Sequence, residues 1–180
     1  ALPKVALPSK PLAGKAIAID GAGNKLTVRT STGNVVLPYD HLVLSPGIDF
    51  VPPVAGYWDP KLTPHAWQAG KQTTLLKNQL AAMRNYDQFV MTVPKSPYRC
   101  PPGPYERACV VADYLKRNQR IGAKVIVLDA NDKIQAEPEA FSHAFNVTHA
   151  GFIEYYPNAT VQSVNSTTRS IVTSVKTVKN

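Results

Sequence analysis

At 180 residues, 44% of them apolar, the chain is long enough to bury the core of one ordinary domain or two small ones. Twenty Lys and Arg against twelve Asp and Glu give a formal charge of +8, which favours acidic partners. The charge is dispersed, with no basic run interleaved with aromatics, and this argues against nucleic-acid binding. No stretch of 18 apolar residues offers a membrane span, and two cysteines, Cys100 and Cys109, are too few for a disulfide-built scaffold. The start, Ala1-Leu2-Pro3-Lys4, has neither an initiator Met nor an apolar signal region, which predicts a chain beginning after a processing or truncation point.

From Ala16 to Phe50 the pattern is β. Ile17 and Ile19 alternate with Ala16 and Ala18, Gly21-Ala22-Gly23-Asn24 supplies a turn, and Leu26 and Val28 alternate with Lys25, Thr27 and Arg29. After a second turn, Ser31-Thr32-Gly33-Asn34, the run Val35-Val36-Leu37 completes a three-stranded meander. His41-Leu42-Val43-Leu44 is short and apolar, as expected of a buried strand entering a central sheet and ending at Ser45-Pro46-Gly47. Asp49 to Pro64, with Pro52, Pro53, Gly56, Trp58 and Pro60, reads as a loop and a domain boundary.

Ala66 to Met83 is predicted to be an amphipathic helix, Gln88 to Pro94 a strand, Tyr105 to Asn118 a helix and Lys124 to Asp129 a strongly apolar strand ending in an acid. Strand, loop, helix and strand form a βαβ unit of the dinucleotide-binding type. Glu139 to Val147 is expected to be helical, Ile153 to Pro157 a strand, and Val161–Val164 with Ile171–Val178 a hairpin.

The βαβ turn is unsuited to a pyrophosphate. It offers one glycine, Gly103, among Pro101, Pro102 and Pro104, and proline donates no N–H. Asp129 stands where a ribose-binding acid would, but without the glycine fingerprint it reads as an ordinary strand-end acid. What the turn does offer is a thiol. Cys100 follows Arg99 and precedes a rigid Pro-Pro-Gly-Pro turn at a helix N-terminus, where the positive end of the dipole and the neighbouring guanidinium favour a thiolate. Its proline neighbour predicts an extended backbone. Cys100 is therefore the candidate nucleophile, and Cys109, beside Ala108 and Ala112, a packing residue. His41, His65, His143 and His149 show no metal-ligand spacing.

Pro64-His65-Ala66-Trp67-Gln68-Ala69-Gly70-Lys71-Gln72-Thr73, followed by Tyr98-Arg99-Cys100-Pro101-Pro102-Gly103-Pro104-Tyr105-Glu106-Arg107-Ala108, resembles the flavoprotein subunit of flavocytochrome c sulfide dehydrogenase. Tyr39 to Asp49 and Ile153 to Pro157 fit the same family, which is related to the glutathione-reductase-like flavoproteins with two dinucleotide domains. The resemblance implies an α/β fold, incomplete at both ends: a partial FAD-domain β-meander over residues 1–60, and a second, Rossmann-like βαβ domain over residues 61–180 that does not bind NAD.

It further implies periplasmic oxidation of sulfide or a polysulfide by a redox-active cysteine pair next to FAD, with electrons passing to a c-type cytochrome subunit. Cys100 matches one cysteine of that pair, and Ser45, Pro46 and Gly47 match a loop approaching the FAD. The family's Gly-x-Gly-x-x-Gly unit, its flavin-attaching cysteine and its second redox cysteine have no counterpart here, so the chain alone is expected neither to bind FAD tightly nor to turn over. A sulfide:quinone oxidoreductase shares the architecture, and a catalytically silent cytochrome-docking domain is the reading from another class.

Overall fold

The computed structural model describes residues 10–47, 49–51, 54, 56–57, 59 and 61–179; Ala1, Leu2, Pro3, Lys4, Pro52, Pro53, Trp58 and Pro60, named above, lie outside them. The chain divides into two compact units, Ala1–Asp49 and Phe50–Asn180.

In the first unit, strands β1 (Lys15–Asp20), β2 (Lys25–Thr30) and β3 (Gly33–Pro38) form the expected antiparallel meander, in the order β1-β2-β3. Its turns are built by polar side chains. The Asp20 carboxylate accepts a hydrogen bond from the Gly23 N–H at 2.8 Å, and Thr30 Oγ1 donates to the Gly33 carbonyl at 2.8 Å. Residues 41–44 are not a strand. Val43 and Leu44 are 86% and 63% exposed, and among the described residues no strand pairs with them. An apolar run becomes a buried strand only when neighbours take up its backbone hydrogen bonds on both sides.

The second unit is built on a parallel sheet of β4 (Gln88–Val93), β5 (Lys124–Asp129) and β6 (Ile153–Tyr156), in the order β4-β5-β6. Helix α2 (Gly103–Arg117) crosses from β4 to β5, confirming the predicted βαβ unit. Tyr105, Ala108, Val111, Ala112 and Leu115 recur at helical spacing on the buried face of α2 and join Met91, Val93, Val125, Val127 and Phe145 in one core. The opposite face of β5, Ile126 and Leu128, packs with Ala159 and Val178. Central strand β5 is thus covered on both sides, as its unbroken apolar run requires.

Helix α1 spans Lys71–Ala82, five residues shorter at its start than expected. Ala66 at φ 54° and Gly70 at φ 109° have left-handed backbones that a right-handed helix excludes. Thr73 Oγ1 donates to the Gly70 carbonyl at 2.9 Å, fixing the new start. Helix α3 (Pro138–His143) runs into a π-helical turn, Ala144–Thr148. The expected C-terminal hairpin is a three-stranded antiparallel sheet, β7 (Val161–Asn165), β8 (Ser170–Thr173) and β9 (Thr177–Lys179). Thr173 Oγ1 donates to the Lys176 carbonyl at 2.8 Å, turning the chain within what looked like one strand.

Candidate active site

The loop from Pro94 to Pro102 leaves the carboxyl end of β4 and enters α2, the edge where open α/β sheets place their ligands. Cys100 is exposed on this loop. Its backbone is left-handed, φ 59°, and not extended as its proline neighbour predicted. The turn overrides the local preference: the Cys100 carbonyl accepts the Gly103 N–H at 3.0 Å, closing the chain onto the helix start. A left-handed backbone costs a non-glycine residue about 1–2 kcal/mol, which the surrounding contacts must offset. A Cβ at Gly103 would lie 3.2 Å from Cys100 Sγ, so glycine lets the thiol approach the first turn of α2 closely. Cys109 is half-buried against the core, and burial, then Glu106, push its thiol above the usual range. Both thiols are free.

Two polar structures hold this corner of the molecule. The first is Arg107, one helical turn beyond Gly103 and on the same face of α2. Its guanidinium lies 3.4 Å over the Trp67 ring and donates to the carbonyls of His65 at 2.8 Å and Ala66 at 2.7 Å. Burial lowers it to about 10, so it remains a cation at neutral pH. The edge of the Trp67 ring lies 3.5 Å from the same Cβ position at Gly103 that Cys100 Sγ approaches. Thiol, indole and guanidinium therefore line one face of the first turn of the helix. His65, whose Nδ1 accepts the Trp67 N–H at 3.1 Å, stacks on Phe50 at 3.8 Å.

The second is Asp129, fully buried at the end of β5. One carboxylate oxygen accepts from the Asn131 N–H at 2.8 Å and from Asn131 Nδ2 at 2.7 Å. The other accepts from the hydroxyls of Tyr105 at 2.7 Å and Tyr155 at 2.9 Å. Four donors saturate the group, which leaves no lone pair or access for a ribose hydroxyl; the reading as a strand-end acid agrees with this geometry. Burial first, then hydrogen bonding around Asp129, pushes the Tyr105 and Tyr155 hydroxyls well above the usual tyrosine range.

Ser45, Pro46 and Gly47 belong to the first unit, where they are exposed and irregular. Gly47 has φ 79°, the left-handed region that favours glycine. At α2, Pro101, Pro102 and Pro104 have no N–H and that of Gly103 is engaged by Cys100, a poor fit to a pyrophosphate. Among the described residues no cluster of His, Cys, Asp or Glu could hold a metal ion, and no helix is long and apolar enough to cross a membrane. Sequence reasoning assigned no role to Trp67, Arg107, Tyr98, Tyr105 or Asn131; the spacing of four between Gly103 and Arg107 was the one local signal.

Several solved structures share this fold. The water-forming NADH oxidase of Lactobacillus brevis, bound to NADH, aligns with a TM-score of 0.56 at 16% identity, covering 92% of this chain and 34% of that one. A NAD-dependent persulfide reductase from A. fulgidus aligns at 0.60 and 13% identity, covering 91% and 29%. A FAD-dependent pyridine nucleotide-disulphide oxidoreductase from Desulfovibrio vulgaris aligns at 0.55 and 19%, covering 91% and 40%. The chain thus spans well under half the length of each of these proteins.

The fold is that of the pyridine-nucleotide disulfide oxidoreductase flavoproteins. Residues 73–180 match the family model described as the central part of the sulfide dehydrogenase (flavocytochrome c) flavoprotein chain, and this chain belongs to that family. The resemblance carried by residues 64–73 and 98–108 is borne out.

Proposed function

We propose that this chain is part of an FAD-dependent sulfide dehydrogenase of the periplasm, in which Cys100 is one half of a redox-active cysteine pair. The observation that carries the reading is the exposed Cys100 thiol, set against Gly103 at the start of α2 in a chain of this family. In the oxidised pair, a sulfide sulfur attacks the disulfide, the S–S bond breaks, and one thiolate leaves while the attacking sulfur is held as a persulfide. FAD, when bound, supplies the two-electron acceptor from which electrons pass on to a c-type cytochrome.

The residues of this chain position and polarise. Gly103 gives the thiol its place at the helix N-terminus, and the Arg107 cation stands one turn along on Trp67. Ser45, Pro46 and Gly47 are the proposed cofactor contacts. We assign residues 1–60 to part of the FAD domain and residues 61–180 to a second domain that does not bind NAD, which the proline-rich turn and the saturated Asp129 support. Alone, the chain neither holds FAD tightly nor turns over.

Equimolar titration of the chain with FAD tests the last point: no tight yellow complex is expected, and one would refute it. Anaerobic assay of the complete protein with sulfide tests the activity. Sulfide-dependent reduction of cytochrome c, lost in Cys100→Ser, is expected. Reduction of a quinone in its place indicates a sulfide:quinone oxidoreductase, and salt-sensitive cytochrome binding without reduction a docking domain.

A further inference from the structure

Asp129 reaches the loop that carries Cys100 from two directions. Asn131 Nδ2, which donates to its carboxylate, also donates to the Pro94 carbonyl at 2.9 Å, and Asn131 Oδ1 accepts the Ser96 N–H at 2.9 Å. That fixes the start of the loop. On the other side, the Tyr105 hydroxyl donates to Asp129 and lies 3.3 Å from the Tyr98 hydroxyl, whose proton is shared with the Pro101 carbonyl at 3.2 Å. Pro101 directly follows Cys100. One buried carboxylate therefore joins the end of β5, the first turn of α2 and both ends of the cysteine loop. A carboxylate withdrawn from water carries a large desolvation cost, and an apolar core residue would close the same space with none. What the carboxylate adds is a fixed loop.

We propose that Asp129 is the positioning residue of Cys100, acting through Tyr105 and Tyr98 to hold the strained Cys100 turn so that the thiol rests against Gly103 at the start of α2. The acid at the end of the second strand, which in a dinucleotide-binding unit would face a ribose, serves the thiol instead. The proposal rests on the reading of Cys100 as an activated thiol. It assigns the control of that activation to a network that touches neither Sγ nor any substrate.

The test is alkylation of the full chain by iodoacetamide across pH, followed at Cys100 and Cys109 separately by mass spectrometry, for wild type, Tyr98→Phe and Asp129→Asn. Wild-type Cys100 is expected to be alkylated faster than Cys109 at neutral pH. Tyr98→Phe, which removes only a half-buried hydroxyl, is expected to loosen the Cys100 turn. It should slow alkylation of Cys100 at neutral pH about three- to tenfold, the factor that one ordinary hydrogen bond allows, while the Cys109 rate stays unchanged. Asp129→Asn should slow Cys100 at least as much; if that variant fails to fold, Tyr98→Phe decides. A folded Tyr98→Phe variant with an unchanged rate of Cys100 alkylation overturns the positioning role and leaves the reactive thiol standing. A wild-type Cys100 alkylated no faster than Cys109 overturns the reactive thiol, and the positioning role with it.

Discussion

Arg107 illustrates what individual residues do at this corner of the molecule. Its two hydrogen bonds end on consecutive carbonyls, His65 and Ala66, of a segment with a left-handed residue, and its charge rests on the indole of the next residue, Trp67. A planar fork is required, since lysine supplies neither the paired donors nor the stacking face. Arg107→Met is expected to destabilise the chain by about 2–3 kcal/mol in urea unfolding, by leaving two carbonyls unpaired, and Arg107→Lys by roughly half as much. A double-mutant cycle with Trp67→Leu should return a coupling of about 1 kcal/mol; additive effects would mean the stacking contributes nothing. Neither role is readable locally. An arginine on a helix reads as a solvated surface residue until a loop forty residues away is known to fold against it.

At the scale of elements, the βαβ unit follows from pattern: an apolar run broken by one threonine, a proline-glycine stop, a period of 3.6, then a second apolar run. The misses share one cause. Residues 41–44, the start of α1 and the second arm of the C-terminal hairpin read as regular from their apolar pattern, whereas 41–44 find no strand partner among the described residues, left-handed Ala66 and Gly70 delay α1, and the Thr173–Lys176 bond turns the last arm. Hydrogen bonding between elements also sets a pH limit. In the folded chain Tyr105 and Tyr155 keep their protons above the pH at which free tyrosine loses them, because burial and Asp129 oppose a second anion. Groups with raised values in the folded state stabilise it fully below the unfolded value, about 10, and that stability is lost as pH rises further. Denaturant midpoints are thus expected to fall above pH ~10, by up to about 1.4 kcal/mol per pH unit for each retained proton. Tyr155→Phe should flatten that fall; the same slope in both proteins would place the alkaline sensitivity elsewhere.

At the scale of the whole molecule, the charge of +8 is the property that reaches beyond its surface. If it draws in an acidic cytochrome partner, calorimetric titration should show affinity falling several-fold between about 0.02 M and about 0.3 M salt, as the screening length shrinks to a few ångströms. Affinity indifferent to salt would remove the charge from recognition.

The sequence by itself determined the meander, the parallel βαβ unit, the family and the thiol in a loop at a helix start, because each rests on short-range signals: alternation, helical period, proline and glycine punctuation, and two unbroken motifs. It also disqualified the turn as a phosphate cradle, since prolines lack N–H whatever the fold. Only the tertiary structure decided how the thiol is held. Arg107 and Trp67 meet across about forty residues, and Asp129 meets Tyr105 and Tyr155 across about twenty-five. Such contacts depend on which side chains the packed strands, helix and loop bring into contact, and no spacing along the chain encodes that.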